Sequence, residues 1–146
     1  MAENLNRQRV LNFLDTFYSG DIEGALARCT EDIELIAPAP IDVLPHMGVH
    51  RGKDQVRTMW QTVHDRYSSL RHEVRDIVAE GDKAAVSIRA FFKKRHNERT
   101  VQFDIAVFFT LREGRIEQMR EILDTFDLVQ QVLERDLLPG RAPDAT

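Results

Sequence analysis

The stretch from Val101 to Asp124 constrains the fold of this chain more than any other. It reads VQFDIAVFFTL, then the four residues REGR, then IEQMREILD. In the first limb every second residue is apolar, namely Val101, Phe103, Ile105, Val107, Phe109 and Leu111. A period of two is typical of a strand with one buried face. Gly114 supplies the positive φ that a tight turn often needs, so the stretch predicts a β-hairpin.

The second limb of this hairpin carries a carboxyl group on its apolar side. Met119, Glu121 and Leu123 share one face because side chains alternate along a strand. A carboxylate between two apolar neighbours is the first indication of a site. We therefore expect a pocket around Glu121, with Phe103, Ile105 and Met119 in its wall.

Patterns elsewhere in the chain predict helices first and strands afterwards. Apolar residues recur at helical spacing in residues 4–18, in residues 22–29 and in the segment that starts at Gly52. Between and after these segments we expect a strand at 33–37, a proline-rich loop up to about Val49, strands at 72–79 and 84–94, and a closing helix capped by Asp124. This order predicts an α+β fold in which three N-terminal helices pack on one face of a curved, mostly antiparallel sheet.

Composition and charge limit the classes of partner. The 146 residues predict one domain at 1–138 and a disordered tail at 139–146. A net charge of −4 gives no general attraction to nucleic acid or to anionic membranes, and no apolar run is long enough to cross a bilayer. The single cysteine, Cys29, fits a reducing compartment, so we expect a cytoplasmic protein.

Apolar residues on the second face of the sheet predict self-association. The residues assigned to this outer face are Val86, Ile88, Ala90, Phe92, Ala106 and Phe108. A monomer would leave such a patch in water, so we expect a homodimer through the outer sheet face.

Three segments give the chain a family resemblance: FYSGDIEGALARCTEDIEL at 17–35, HRGKDQV at 50–56 and VFFTLREGRIEQMREILD at 107–124. In order and spacing they resemble the SnoaL-like branch of the nuclear transport factor 2-like superfamily. The resemblance implies a cone-shaped roll of helices around a strongly bent sheet, with a deep apolar pocket between them. It does not settle function, because the family includes isomerases, epoxide hydrolases, polyketide cyclases and proteins that only bind.

Two branches of the family imply different catalytic residues. The resemblance to ketosteroid isomerase places its carboxylate base and its two oxyanion donors at Ala37, Phe13 and Val107, where all three polar groups are absent. The resemblance to limonene epoxide hydrolase places an arginine and a carboxylate at Arg89 and Glu121. Its second carboxylate falls on Phe91, and the tyrosine and asparagine that hold water fall on Leu35 and Ala37.

Arg89 and Glu121 are the main candidates for catalysis. Both are assigned to inward strand faces, where an unpaired charge is costly, so we expect each to pair with the other. In one interpretation Glu121 activates water or accepts a proton while Arg89 orients it or binds an anion. In the other, the two form a structural salt bridge at the pocket floor.

The remaining candidates have weaker support. His46, in the proline-rich loop, is a possible acid or base at the pocket mouth, with His64 of similar standing. Tyr18 either offers its hydroxyl to a ligand or packs at the core margin. His46 and His50 do not lie on a helix, so we expect no metal site and no cofactor. The expected substrate-binding wall comprises Tyr18, Leu35, Ala37, Trp60, Phe91, Phe103, Ile105 and Met119.

The sequence is compatible with two functions. The first is a cofactor-independent isomerase, hydrolase or cyclase that uses acid–base chemistry on an apolar cyclic molecule. The second is a non-catalytic ligand-binding or interaction module, which the replacements at Ala37, Phe91 and Val107 favour. Both predict an apolar small molecule as ligand and neither predicts nucleic acid or a membrane as partner.

Overall fold

The computed structural model describes residues 2–135 and 137, and this part of the chain forms four helices and six strands. The elements are α1 (Ala2–Tyr18), α2 (Ile22–Ala27), β1 (Cys29–Ala37), β2 (Gly48–Arg51), α3 (Gly52–Arg66), β3 (Tyr67–Glu80), β4 (Lys83–Lys94), β5 (Thr100–Arg112), β6 (Arg115–Leu123) and α4 (Thr125–Leu133). The tail expected at 139–146 lies outside the described residues. Among the residues that are described, no helix combines the length and apolar character needed to cross a membrane.

All six strands belong to one sheet with the order β2-β1-β6-β5-β4-β3. Neighbouring strands are antiparallel, except that β1 and β6 run parallel. Helices α1 and α3 pack against this sheet, α1 on β3 and β4, and α3 on β1 and β3. The predicted class is confirmed: an α+β fold with N-terminal helices, a curved and mostly antiparallel sheet, and a C-terminal helix.

The predicted hairpin joins β5 to β6. Glu113 and Gly114 occupy its two central positions with φ of 52° and 79°. Positive φ at both positions is the backbone of a type I′ turn, whose twist matches that of the strands. Arg112 and Arg115 stand opposite each other at the start of the pairing. The hairpin is therefore confirmed, and a bulge between Thr110 and Leu111 shifts the register of the two central strands beyond the turn.

The proline-rich region contains a strand that the sequence did not predict. Strand β2 follows the last proline and pairs antiparallel with β1, where Leu35 is opposite His50. Strand β1 also starts earlier than expected, at Cys29, which is fully buried and lies in the strand rather than in a helix. Both differences follow from pairing with distant strands, because Cys29 is opposite Ile116 of β6.

The two faces of β4 are the reverse of the sequence interpretation. Val86, Ile88 and Ala90 are at most 2% exposed and belong to the core, and Phe92 packs against it. The prediction of these four on the outer face is wrong, whereas Ala106 and Phe108 do belong to that face. Both faces of β4 carry apolar side chains, so alternation cannot orient the strand. Its register with β5 decides, because it places Ile88 opposite the inward-facing Ile105.

The outer face nevertheless carries an apolar patch, composed of other residues. Val78, Phe108 and Ile122 are 66%, 42% and 49% exposed. Half-buried Ile36, Ala85 and Ala106 lie on the same face, as the register of the strands shows. Ala85 of β4 pairs with both Val78 of β3 and Phe108 of β5, and Ala106 pairs with Ile122. Arg120 of β6 pairs with both Phe108 and Ile36. Charges of both signs border the patch, including the Arg89–Asp104 ion pair at 2.9 Å between Nε and Oδ1. Mixed charge around an apolar centre suits a surface that pairs with itself.

We propose that two copies of the chain pair through this outer sheet face. Phe108→Glu would put a charge in the centre of the apolar patch and should convert a dimer into a monomer in sedimentation velocity at micromolar concentration. Phe126→Glu is the matched control, because Phe126 is 49% exposed on α4, away from the sheet face, and should leave the dimer intact. A wild-type protein that sediments as a monomer would contradict the proposal.

Candidate functional site

An apolar cavity lies between the inner face of the sheet and the helices. Its volume is about 80 Å³, and α1, the loop after β1, α3, β5, β6 and α4 all contribute to its wall. A single water needs roughly 10–15 Å³ in this measure, so the cavity has room for a handful of waters or for a small ring. Apolar wall residues include Phe17, Met59, Trp60, Val63, Phe103, Ile105, Leu128 and Val132. A second cavity of about 30 Å³ adjoins it and shares Tyr18 and Glu121 in its wall.

Helix α4 covers the cavity and is fixed at both ends. At its N-terminus the side chain of Asp124 accepts a hydrogen bond from the backbone N–H of Asp127 at 3.0 Å, which confirms the predicted cap. At its C-terminus the buried Lys94 donates from Nζ to the carbonyls of Gln131 and Val132, at 2.8 and 3.2 Å. Lys94 also forms a 2.9 Å ion pair with Glu134. A cation at the last carbonyls of a helix is favourable, so this contact holds the cover in place.

Glu121 is the main titratable residue in the cavity wall. It stands on β6 opposite Val107, on the inward face that alternation predicts. Part of its side chain borders the cavity, so the residue as a whole is only half-buried. The carboxyl group itself is surrounded by protein atoms. Burial decides its titration, because a cavity this small cannot hydrate a carboxylate as bulk water does. It raises the pKa of Glu121 to about 7.

The predicted pairing of Arg89 with Glu121 is wrong. Arg89 lies on the outer face of β4, where its guanidinium contacts Asp104 at 2.9 and 3.3 Å. Among the described residues, no hydrogen bond or ion pair to Glu121 is found. Phe91 also lies on the outer face, under the guanidinium of Arg71 at 4.0 Å, so it does not border the cavity. Both errors have one cause, the reversed assignment of the faces of β4.

Tyr18 borders the same cavity as Glu121. It is the last residue of α1, and its ring stacks on His72 at 4.2 Å between ring centroids. Burial, and then the negative charge of Glu121, raise the pKa of the Tyr18 hydroxyl above its usual value. The hydroxyl therefore stays protonated at neutral pH and is available as a hydrogen-bond donor.

His46 lies where the cavity meets a groove on the surface. Nη1 of Arg66 is 3.0 Å from His46 Nδ1. A guanidinium can only donate, so Nδ1 accepts and the ring proton belongs on Nε2. Burial, followed by the charges of Arg66 and His50, lowers the pKa of His46 to about 4. His46 is therefore neutral at neutral pH, with Nε2–H as its remaining donor.

The other predicted wall residues divide into two groups. Trp60, Phe103 and Ile105 border the larger cavity, and Met119 borders the smaller one. Leu35 and Ala37 are fully buried in the core and border neither cavity. The structure gives the positions of these residues, and their role in binding a substrate stays a prediction.

Sequence reasoning missed several parts of the site. The sequence of α4 indicates an amphipathic helix but not that this helix borders the cavity. Arg66 is twenty residues from His46 along the chain, so no local pattern could predict their contact. His64 has a buried Nε2 without a partner among the described residues, and its ring lies 5.1 Å from that of Phe17, but it does not border either cavity. Within the described part of the chain, no three His, Cys, Asp or Glu residues cluster as metal ligands would.

A curved sheet with three helices on its inner face, closed by a C-terminal helix over a cavity, defines a protein of the NTF2-like class. Within this class, residues 10–119 match the model of the SnoaL-like domain, and the chain belongs to that family. No curated protein shows significant sequence similarity to it.

Solved structures of the same fold have varied descriptions. An NTF2-like protein of unknown function from Burkholderia pseudomallei is 19% identical, with 86% of this chain and 95% of that chain covered and a TM-score of 0.78. A proposed isomerase from Rhodopseudomonas palustris is 25% identical, with 84% and 91% covered and a TM-score of 0.74. An LEH-like epoxide hydrolase from M. tuberculosis is 18% identical, with 90% and 92% covered and a TM-score of 0.74.

The buried Glu121 predicts a specific dependence of stability on pH. A glutamate in the unfolded chain loses its proton near pH 4.5, whereas folded Glu121 keeps it up to about pH 7. The free energy of unfolding therefore falls as pH rises through this window, and the full penalty applies above it. Glu121→Gln removes the penalty. Its stability relative to wild type should rise by on the order of 3 kcal/mol between about pH 4 and about pH 8.5 in urea denaturation.

The comparison needs a control on the same strand. Glu117→Gln removes the same charge from a partly exposed side chain that pairs with Arg112 at the surface, and should follow the pH dependence of the wild type. A Glu121→Gln difference that is equal at both pH values would contradict the raised pKa.

Proposed function

We propose that this protein is a cofactor-independent enzyme that transfers protons on a small, apolar, cyclic substrate, with Glu121 as the base. One observation carries the proposal: a carboxyl group without a partner among the described residues lies in an apolar cavity, and its pKa is raised to about 7. A pKa near the working pH is what general acid–base catalysis requires, since both protonation states are then populated. A purely structural carboxylate has no such requirement and is usually paired.

The chemistry that suits this arrangement is proton removal from carbon next to a carbonyl group. The carboxylate of Glu121 takes the proton, the electron pair of the C–H bond moves toward the carbonyl, and an enolate results. If a C=C double bond adjoins the carbon that lost the proton, the negative charge extends along it, and return of the proton from Glu121 to the far carbon completes an isomerisation. Attack of the enolate carbon on a second carbonyl of the same molecule would instead close a ring, and the proton held by Glu121 would pass to the alkoxide oxygen that forms. Neither route consumes an oxidant or a reductant.

Tyr18 is the proposed donor to the oxygen that gains negative charge. Its hydroxyl stays protonated, and the residue borders the same cavity as Glu121. A hydrogen bond to a developing oxyanion strengthens as charge accumulates, which lowers the barrier rather than only improving binding. His46, with Nε2–H available near the opening, could act as a second donor to a substrate oxygen.

Two further observations favour isomerase or cyclase chemistry over epoxide hydrolysis. The arginine that would orient water beside the carboxylate lies on the outer face of the sheet, paired with Asp104. The proposed isomerase from R. palustris is also more similar in sequence than the epoxide hydrolase, at 25% against 18% identity. The small cavity favours single-ring substrates over polycyclic ones.

Hydrogen–deuterium exchange tests the proposal without knowledge of the natural product. Cyclohexanone and cyclohexenone, incubated with the protein in deuterium oxide, should exchange the protons next to the carbonyl, as followed by NMR. The rate should rise with pH and level off above about pH 7, because the ionised form of Glu121 is the base. Glu121→Gln should lower the rate by about 10²-fold or more, and Tyr18→Phe should lower it less.

The same samples distinguish an enzyme from a binding module. Glu117→Gln is the control and should exchange at the wild-type rate, since its side chain is paired with Arg112 outside the cavity. If these ketones raise the melting temperature of wild type and Glu121→Gln equally, and neither protein accelerates exchange, the proposal is wrong. The chain would then be a ligand-binding module.

A further inference from the structure

A surface groove adjoins the cavity at its polar end. Its wall comes from the loop before β2, from β2 and from one side of α3, and includes His46, His50, Thr58, Met59, Thr62 and Arg66. His46 and Met59 also border the cavity. A molecule with its ring in the cavity could therefore extend past His46 into the groove.

Among the described residues, Arg66 is the one arginine or lysine that lines this groove, and no acidic residue lines it. Two arginines near the groove do have acidic partners: Arg57 pairs with Glu23 and Asp54, and Arg51 with Glu34. Arg66 contacts the neutral ring of His46 instead, and within residues 2–135 and 137 it has no acidic partner. A guanidinium has five N–H donors, so most of those of Arg66 remain available to a ligand.

We propose that the substrate carries an anionic group, a carboxylate in the simplest case, which Arg66 binds in the groove while the apolar ring occupies the cavity. This inference rests on the proposed function, because it concerns the same ligand. A planar guanidinium matches a carboxylate with two parallel hydrogen bonds, which gives orientation as well as affinity. The interaction would hold the ring in one direction relative to Glu121, so that a single carbon faces the base.

The binding of Arg66 to His46 adds a reason for the groove to select anions. Burial, and then the charge of Arg66, lower the pKa of His46 and keep it neutral, and the contact with Arg66 places its ring proton on Nε2. An anion at Arg66 therefore meets one positive charge and one neutral donor, and the described part of the groove wall contains no carboxylate to repel it. A neutral ligand of the same shape would gain the cavity contacts alone.

The test compares acids with their primary amides. Phenylacetate, phenylpropionate and phenylbutyrate carry the same ring at three distances from the carboxylate. Titration calorimetry at about pH 6 keeps Glu121, with its pKa near 7, mostly neutral, so that it does not repel the acids. We expect the acid of best-fitting length to bind at least about tenfold more tightly than its amide. Arg66→Gln should remove this preference by weakening the acid alone, and Arg66→Lys should keep part of it.

Each outcome bears on a different claim. Arg57→Gln is the matched control, because it removes the same charge from the same helix outside the groove, and should keep the wild-type preference. Amides that bind as tightly as the acids, or a preference that survives Arg66→Gln, would overturn this inference and leave the proposed function intact. Failure of every acid and every amide to bind would overturn the ligand-binding cavity itself, and this inference with it.

Discussion

The pairing of β5 with both of its neighbours is the constraint on which the rest of the structure depends. Strand β5 lies between β4 and β6, and its inward residues form the centre of the core. Because side chains alternate, a slip of one residue would turn all of them outward and expose the core. The same register places Glu121 opposite Val107 and Arg89 opposite Asp104. The cavity and its carboxyl group are thus consequences of how the central strands align.

The cavity contains a destabilising carboxyl group and is covered by a helix, α4, that is fixed at both ends. An unpaired carboxyl in an apolar space lowers stability at neutral pH, since the ionised form loses its hydration. The chain keeps Glu121 there while it pairs other carboxylates at the surface, such as Asp32 with Arg112. Lys94 and Asp124 fix the two ends of α4 above it. A fold that bears this cost and also limits the hydration of the carboxyl group has the properties of a site for proton transfer.

The chain also differs from the catalytic pattern that its family resemblance implied. The three positions that correspond to the polar groups of ketosteroid isomerase hold Ala37, Phe13 and Val107, and all three are buried in the core. The carboxyl group stands instead on the last strand, and Tyr18 borders the same cavity. The polar end of the site comes from a loop and from the end of α3, through His46 and Arg66. The shared fold therefore supports a different arrangement of donors and acceptors around a similarly placed cavity.

Local patterns in the sequence were sufficient for most of the elements, though not for β2, and for one side of the site. The alternation from Val101 to Leu111 and the glycine turn identified the hairpin, and the same alternation identified Glu121 as an inward carboxyl, because periodicity is a property of neighbouring residues. Periodicity could not give the orientation of β4, since both faces of that strand carry apolar residues. Only cross-strand register could show that Arg89 points outward, and only tertiary packing could bring Arg66 to His46 and α4 over the cavity. The sequence by itself determined most of the elements and that a buried carboxyl would exist. The tertiary structure decided its surroundings, because these depend on contacts between residues far apart in the chain.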